Sequence, residues 1–280
     1  MTRHRGTATA PGTDGVDLAR AEGVALHLAS WAAEEMVRAA RSGPLEVETK
    51  DHPADLVTPV DRRIEAHVRW VLAEQFPGHG VRGEESGGPA GTGARPLWLV
   101  DPVDGTVNFA HGLGWSSFAL ALLDVDGTPL VGVVADPWRG ETFSAVRGGG
   151  ARCNGAPVHA GDTRSLAGQL VLTELSAHLP WPGMAELVLA LAALHCTTRI
   201  MGSSALSLAQ VAAGRAAGAV LGSDEPLDTA AGRLIAVEAG ARVTVVRPGA
   251  GREGTASVLV ASAPRVAALV RRAAGVPDRG

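Results

Sequence analysis

The chain has 280 residues, of which 46% are hydrophobic and 19% charged, with a formal net charge of −4. That length holds one large domain or two modest ones with a substantial core. The charge disfavours a nucleic-acid surface, no apolar run approaches the ~18 residues of a membrane span, and the opening MTRHRGTATAPGTDG lacks the apolar stretch of a signal peptide, so a cytoplasmic protein is expected.

Residues 1–15 are small, polar and turn-rich, the composition of a disordered tail. Apolar residues at helical spacing predict a helix over 16–41, stopped by Gly43-Pro44. After a short strand candidate, LEVETK, a second helix starts with Thr58 as N-cap, Pro59 at its first position and Asp61 at its third. Val60, Ile64, Val68, Val71 and Leu72 share one face of it, and Pro77-Gly78 ends it. A loop over 87–96 precedes an apolar strand at 97–100. From 116 to 147 the pattern is strand-like, and SFALALLDV, PLVGVVADP and ETFSAVRGG read as consecutive antiparallel strands, the first two joined through Asp126-Gly127.

Beyond about residue 155 the texture changes. Helical stretches at 183–194, 203–213, 228–239 and 264–273 alternate with apolar runs at 197–201, 217–221, 242–246 and 257–261, the alternation of an α/β unit. The expected fold class is therefore α/β. An α+β N-terminal subdomain (16–150), two helices with an antiparallel sheet, precedes an α/β C-terminal subdomain (151–280). Cys153 and Cys196 form neither a CxxC pair nor a disulfide framework and read as small buried hydrophobes of a reducing compartment.

Chemistry concentrates where elements end. The run Trp98-Leu99-Val100 stops at Asp101-Pro102-Val103-Asp104-Gly105-Thr106. Such a turn aims two carboxylates to one side; Pro102 stiffens it, the Val103 carbonyl becomes a third oxygen ligand, Gly105 permits close approach of a bound group, and Thr106 presents a hydroxyl. Glu84 and Glu85 lie in a glycine-flanked loop, Asp61 in the first turn of its helix, and Asp228 at the start of LDTAAGRLIAVEAG. Grouped carboxylates repel unless a cation compensates, and hard Mg²⁺ prefers oxygen ligands. Thr106 and Asp228, at expected helix N-termini, also suit a phosphate. Taken singly, each acid has a plainer account as a turn residue, a first-turn acid, an N-cap or a solvated loop residue. Lys50 is the only lysine among 25 Lys and Arg residues, and an ammonium is not interchangeable with a guanidinium. No Walker A loop or G-x-S-x-G elbow occurs, and His111 reads as a loop residue. GSSALS (202–207) is either a plain helix cap or a helix start that contacts substrate.

KDHPADLVTPVD (50–61), GEES (83–86), DPVDGTVNF (101–109) and LDTAAGRLIAVEAGA (227–241), in this order and spacing, resemble the inositol monophosphatase family. The likeness extends over roughly residues 20–270 and includes GARCNGAPV (150–158) and RIMGSSALSLAQVAAG (199–214). It implies a layered αβαβα sugar-phosphatase fold, a homodimer, lithium sensitivity, and hydrolysis of a small phosphate monoester by water with two or three Mg²⁺. Glu84, Asp101 and the Val103 carbonyl would hold a first ion, and Asp101, Asp104 and Asp228 a second. A third ion would involve Glu84 and water. Asp61 and Thr106 would orient the attacking water with Glu85 nearby, and Lys50 would lie close to the metals. Gly105 and Thr106 would cradle the phosphate, bordered by Gly202, Ser203 and Ser204.

The chain departs from the family pattern at the substrate rim. Leu221 stands where inositol phosphatases have a hydroxyl-gripping glutamate, Leu227 replaces a tryptophan, and Ser176-Ala177 replace a Gly-Ser pair. Asp224 or Glu225 is a candidate stand-in for the missing acid. The expected substrate is inositol monophosphate or a related sugar or cyclitol phosphate. Alternatives are a 3′-phosphonucleotide, fructose bisphosphate, histidinol phosphate, or a non-catalytic regulatory protein of the same fold. The bisphosphate alternative calls for a basic rim, for which Arg199, Arg215 and Arg233 are candidates.

Overall fold

The computed structural model describes residues 16–50, 52–89, 91, 93, 95–175, 179–246 and 257–276. The expected tail (1–15) and the rim positions Ser176 and Ala177 lie outside the described residues.

Helix α1 (Leu18–Arg41) opens with the Asp17 side chain accepting the Arg20 N–H. The short ladder of β1 (Glu48–Thr49) and β2 (Leu56–Val57) delivers the chain to α2 (Pro59–Gln75). A capping box starts α2: Thr58 accepts from the helix backbone, while Asp61 accepts from the Thr58 N–H at 2.9 Å and hydroxyl at 2.5 Å. Next come β3 (Gly80–Gly83), the fully buried β4 (Leu97–Asp104) and the one-turn helix α3 (Thr106–Ala110). The predicted meander follows as β5 (Ser117–Leu123), β6 (Pro129–Asp136) and β7 (Glu141–Val146). Past residue 150, β8 (Ala151–Cys153) and β9 (Ala156–Val158) complete this sheet in the order β3-β4-β5-β6-β7-β8-β9. All its pairs are antiparallel except β3–β4, which run parallel.

The second sheet uses β10 (Leu170–Thr173), β11 (Thr197–Ile200), β12 (Gly218–Leu221), β13 (Arg242–Val246) and β14 (Val258–Ser262), in the order β11-β10-β12-β14-β13. Its helices are α4 (Met184–Ala193), α5 (Ser204–Ala212), α6 (Pro226–Glu238) and, after a 3-10 turn, α7 (Ala267–Ala273).

Strand alternation divides the core into layers. Trp98, Val100, Phe118, Leu120 and Leu122 face α1 and α2. Leu99, Ala119, Ala121, Val134 and Phe143, from the other face of the same strands, meet Ala205, Ala209, Ala231 and Ile235 of α5 and α6. The opposite sides of those helices, Leu208, Val211 and Ala236, pack on Leu172, Ala219, Leu221 and Leu259 of the second sheet. Val171, Val220 and Val260 then meet Leu187 and Leu191 of α4, Val266 of the 3-10 turn and Val270 of α7. The result is the five-layer αβαβα stack. Small residues on both faces of α5 and α6 suit a helix pair held between two sheets.

Candidate active site

The site begins at a defect in β4. Pairing with β5 is regular from Leu97 to Asp101, then shifts before Asp104 meets Ser117. Pro102 supplies no N–H to the ladder, and the irregularity re-aims the strand's last side chains, as bulges beside active sites do. Asp101 accepts the Val103 N–H at 3.1 Å. Gly105 follows at φ +90°, and a Cβ there would stand 2.8 Å from the Gly202 carbonyl. Only glycine meets both demands. It caps α3, so Thr106 is the first helical residue, as predicted.

Asp104 reaches the other sheet's helix layer. Its carboxylate accepts from the Ser203 hydroxyl (2.6 Å), the Ala205 N–H (2.8 Å) and the Ser204 N–H (3.2 Å), so it caps α5 from a residue 99 positions earlier in the chain. The Ser204 hydroxyl donates to Glu174, an acid just beyond β10. The donors of Ser203 and Ser204 are thus directed to these two acids, the capping alternative for GSSALS. Glu174 itself was not anticipated. An acid directly after an apolar strand is the same signal that marked Asp101, here hidden in a short run.

The carboxylates sense one another. Burial, then the charges of Glu84, Asp104 and Asp228 and a hydrogen bond with Glu84, push Asp101 well above the usual range. Burial pushes Asp104 to about 6, against the opposing hydrogen bonds from α5. Asp228, the third residue of α6, is raised by burial and by Asp104, Glu84, Glu174 and Glu225. The helix begins two residues earlier than predicted because Pro226 takes its first position. Burial and Asp104 raise Glu174 to about 8. Glu84, Asp101, Asp104 and Asp228 therefore lie within electrostatic reach of one another.

Lys50 sits at the edge of this group, 2.8 Å from Glu84 and 2.7 Å from Glu85. Burial opposes its charge, but the two carboxylates hold it above its ordinary range. Asp61 is fully buried, and burial raises it. Its second oxygen is 3.5 Å from the Thr106 hydroxyl, which donates to the Val103 carbonyl at 2.9 Å. Asp61 thus serves as cap partner on one edge and faces Thr106 on the other.

The donor set is hard oxygen, largely buried and net anionic, the chemistry a divalent cation compensates. Among the described residues, no three His, Cys, Asp or Glu side chains are already drawn together as a metal-holding group. In this arrangement α5 donates to both oxygens of Asp104, and Lys50 donates to Glu84.

The rim is equally specific. Leu221 is fully buried between α5, α6 and the second sheet. Glu225 pairs with Arg82 at 3.2 Å, linking the strand before Glu84 to the start of α6. Arg215 is committed to Glu141, and Arg233 lines a separate cleft with Thr128 and Arg147. Arg199 donates to its neighbour's carbonyl on β11. His111 closes α3 with its ring against the Val107 carbonyl. Cys153 and Cys196 are unbridged, and burial raises both thiols.

This layered fold with an acidic cluster between its sheets defines a class, and comparison with known proteins places the chain within it. It belongs to the inositol monophosphatase family, whose family model matches residues 17–275. The inositol-1-monophosphatase of Mycobacterium bovis is 38% identical, with 89% of this chain and 91% of the relative covered. The Nus factor SuhB of Pasteurella multocida is also 38% identical, over 76% of this chain and 79% of the relative. Among solved structures, the extragenic suppressor protein suhB of Bartonella henselae superposes with a TM-score of 0.79 at 31% identity, covering 90% of this chain and 97% of that one.

Proposed function

We propose that this protein is a Mg²⁺-dependent phosphatase of a small phosphate monoester. The observation that carries the reading is the group of buried carboxylates around the β4 irregularity, Asp101, Asp104 and Asp228, each raised by burial and by the charge of Glu84 among its neighbours. Glu84, Asp101 and the Val103 carbonyl would hold one ion, Asp101, Asp104 and Asp228 a second, and Glu84 with water a third. Bound Mg²⁺ supplies charge neutralisation for the phosphoryl group and a more acidic water.

The chain's own residues do the positioning. Asp61 and Thr106 face each other across 3.5 Å and orient the attacking water, with Glu85 beside them. The Gly105–Thr106 backbone receives the phosphate, and Gly202, Ser203 and Ser204 border it. Lys50 pairs with both Glu84 and Glu85 and balances part of their charge. Phosphoryl transfer needs this placement and charge complementarity more than covalent catalysis.

The alcohol is inositol or a related sugar or cyclitol. With Leu221 buried, the acid nearest to replacing the missing glutamate is Glu225, held by Arg82. The separate commitments of Arg215 and Arg233 weigh against a bisphosphate. Phosphate release from a panel of phosphorylated metabolites tests the proposal. Wild type turns over a polyol phosphate with Mg²⁺ and is inhibited by lithium. Asp104→Asn loses at least about 100-fold, the scale of removing one charge-stabilising group. Undiminished activity in that variant defeats the metal assignment. Absence of turnover on every monoester favours the second reading, a regulatory protein, for which the relatives named Nus factor SuhB speak.

A further inference from the structure

Glu65 lies one turn beyond Asp61 on α2 and is 2% exposed. Its carboxylate points at the loop that carries Glu84 and Glu85. It accepts the Glu85 N–H at 2.7 Å, the Ser86 N–H at 3.0 Å, the Ser86 hydroxyl, and Arg69 Nε at 2.9 Å. Arg69 extends the grip by donating to the carbonyls of Val81 and Gly87. The loop closes on itself through the Gly83 N–H and the Gly87 carbonyl at 2.9 Å. Gly83 is part of the fit, because a Cβ there would overlap the Glu65 carboxyl group. The loop is thus wrapped around one buried anion on its inner side, while Lys50 holds the Glu84 and Glu85 side chains on the outer side.

The chemistry favours an ionised Glu65. Burial alone would raise its pKa, but the donors from Ser86, Glu85 and Arg69 outweigh it and hold the carboxyl below its usual range. A buried charge with this many donors is costly to disturb. Its lone pairs are taken by the loop and by Arg69, which leaves it no direct part in the reaction.

We infer that Glu65, backed by Arg69, is a positioning residue that sets the direction of Glu84, and so the metal affinity of the site. The inference rests on the proposed metal-dependent reading, and it assigns to α2 a second task besides capping through Asp61. Groups that orient metal ligands from behind typically govern affinity by about 10–100-fold.

Mn²⁺ binding, followed by the EPR signal of the free ion and independent of turnover, tests it. Glu65→Gln keeps the shape but presents an NH₂ to backbone donors. It is expected to weaken Mn²⁺ binding by about 10-fold or more and to speed amide exchange at residues 84–87, with a cooperative melt retained in EDTA. Ser86→Ala, an exposed-loop change that removes one donor, should shift both readouts in the same direction by less. A folded Glu65→Gln protein with wild-type Mn²⁺ affinity and wild-type loop exchange overturns the inference while leaving the phosphatase reading intact. If Glu65→Gln does not fold, Ser86→Ala decides by the same criteria. Wild-type protein that binds no Mn²⁺ overturns both.

Discussion

At the residue scale, single side chains here answer to two neighbours at once. Asp104 ends a strand of one sheet and caps a helix that belongs to the other. Asp61 completes a capping box and also faces Thr106. In Asp61 the two neighbours are divided between the two oxygens, one taking the cap and the other facing Thr106, whereas α5 donates to both oxygens of Asp104. Gly105 is constrained twice, by positive φ and by the Gly202 carbonyl. Gly105→Ala should cost about 1–3 kcal/mol, the range for a strained non-glycine backbone. Calorimetry should show a melting temperature lower by about 2–12 °C, with a larger proportional loss in phosphate release. An unchanged melting temperature would show that the turn relaxes freely.

At the element scale, α1, α2, the meander β5–β7 and the α/β alternation were legible from periodicity, because each buries one face. β3 was not. Its four residues, Gly80–Gly83, carry two glycines and one arginine, and only parallel pairing with β4 makes them a strand. The exposed face of α4 and β11 bears on assembly. β11 is an edge strand and α4 packs on it; Leu189 of α4 (71%) and Ile200 of β11 (57%) are exposed, as is Leu179 in the segment before α4 (68%). Exposed apolar side chains grouped at an unpaired edge mark an association surface. We expect the proposed homodimer to use it, so Leu189→Lys with Ile200→Lys should convert a sedimenting dimer into a monomer. A double variant that still sediments as a dimer would place the interface elsewhere.

At the scale of the whole molecule, the fold concentrates negative charge between its two sheets, and that has a consequence for stability. Asp101, Asp104, Asp228 and Glu174 all have folded pKa values above their unfolded ones, with Asp104 near 6 and Glu174 near 8. Between about pH 4 and 8 the folded state therefore binds more protons than the unfolded chain, and stability falls as pH rises. In EDTA the melting temperature should decline from pH 5 to 8. Saturating Mg²⁺ should reverse the trend, because it binds the deprotonated groups of the folded state. A flat or rising profile in EDTA would contradict the charge assignment.

The sequence by itself determined the kinds of element and their order, and it marked the acids on which the proposed function rests. Helical period, strand alternation, turn residues and the D-x-x-D-G-T run are local properties of the chain. What only the tertiary structure decided was which groups meet. It brought Glu174 beside Asp104 through Ser204, turned Glu65 from an ordinary helix acid into the clamp of a distant loop, buried Leu221, and paired Arg82 with Glu225. The contacting residues are 20 to 143 positions apart, and no local pattern encodes such meetings; they follow from stacking two sheets around one pair of helices.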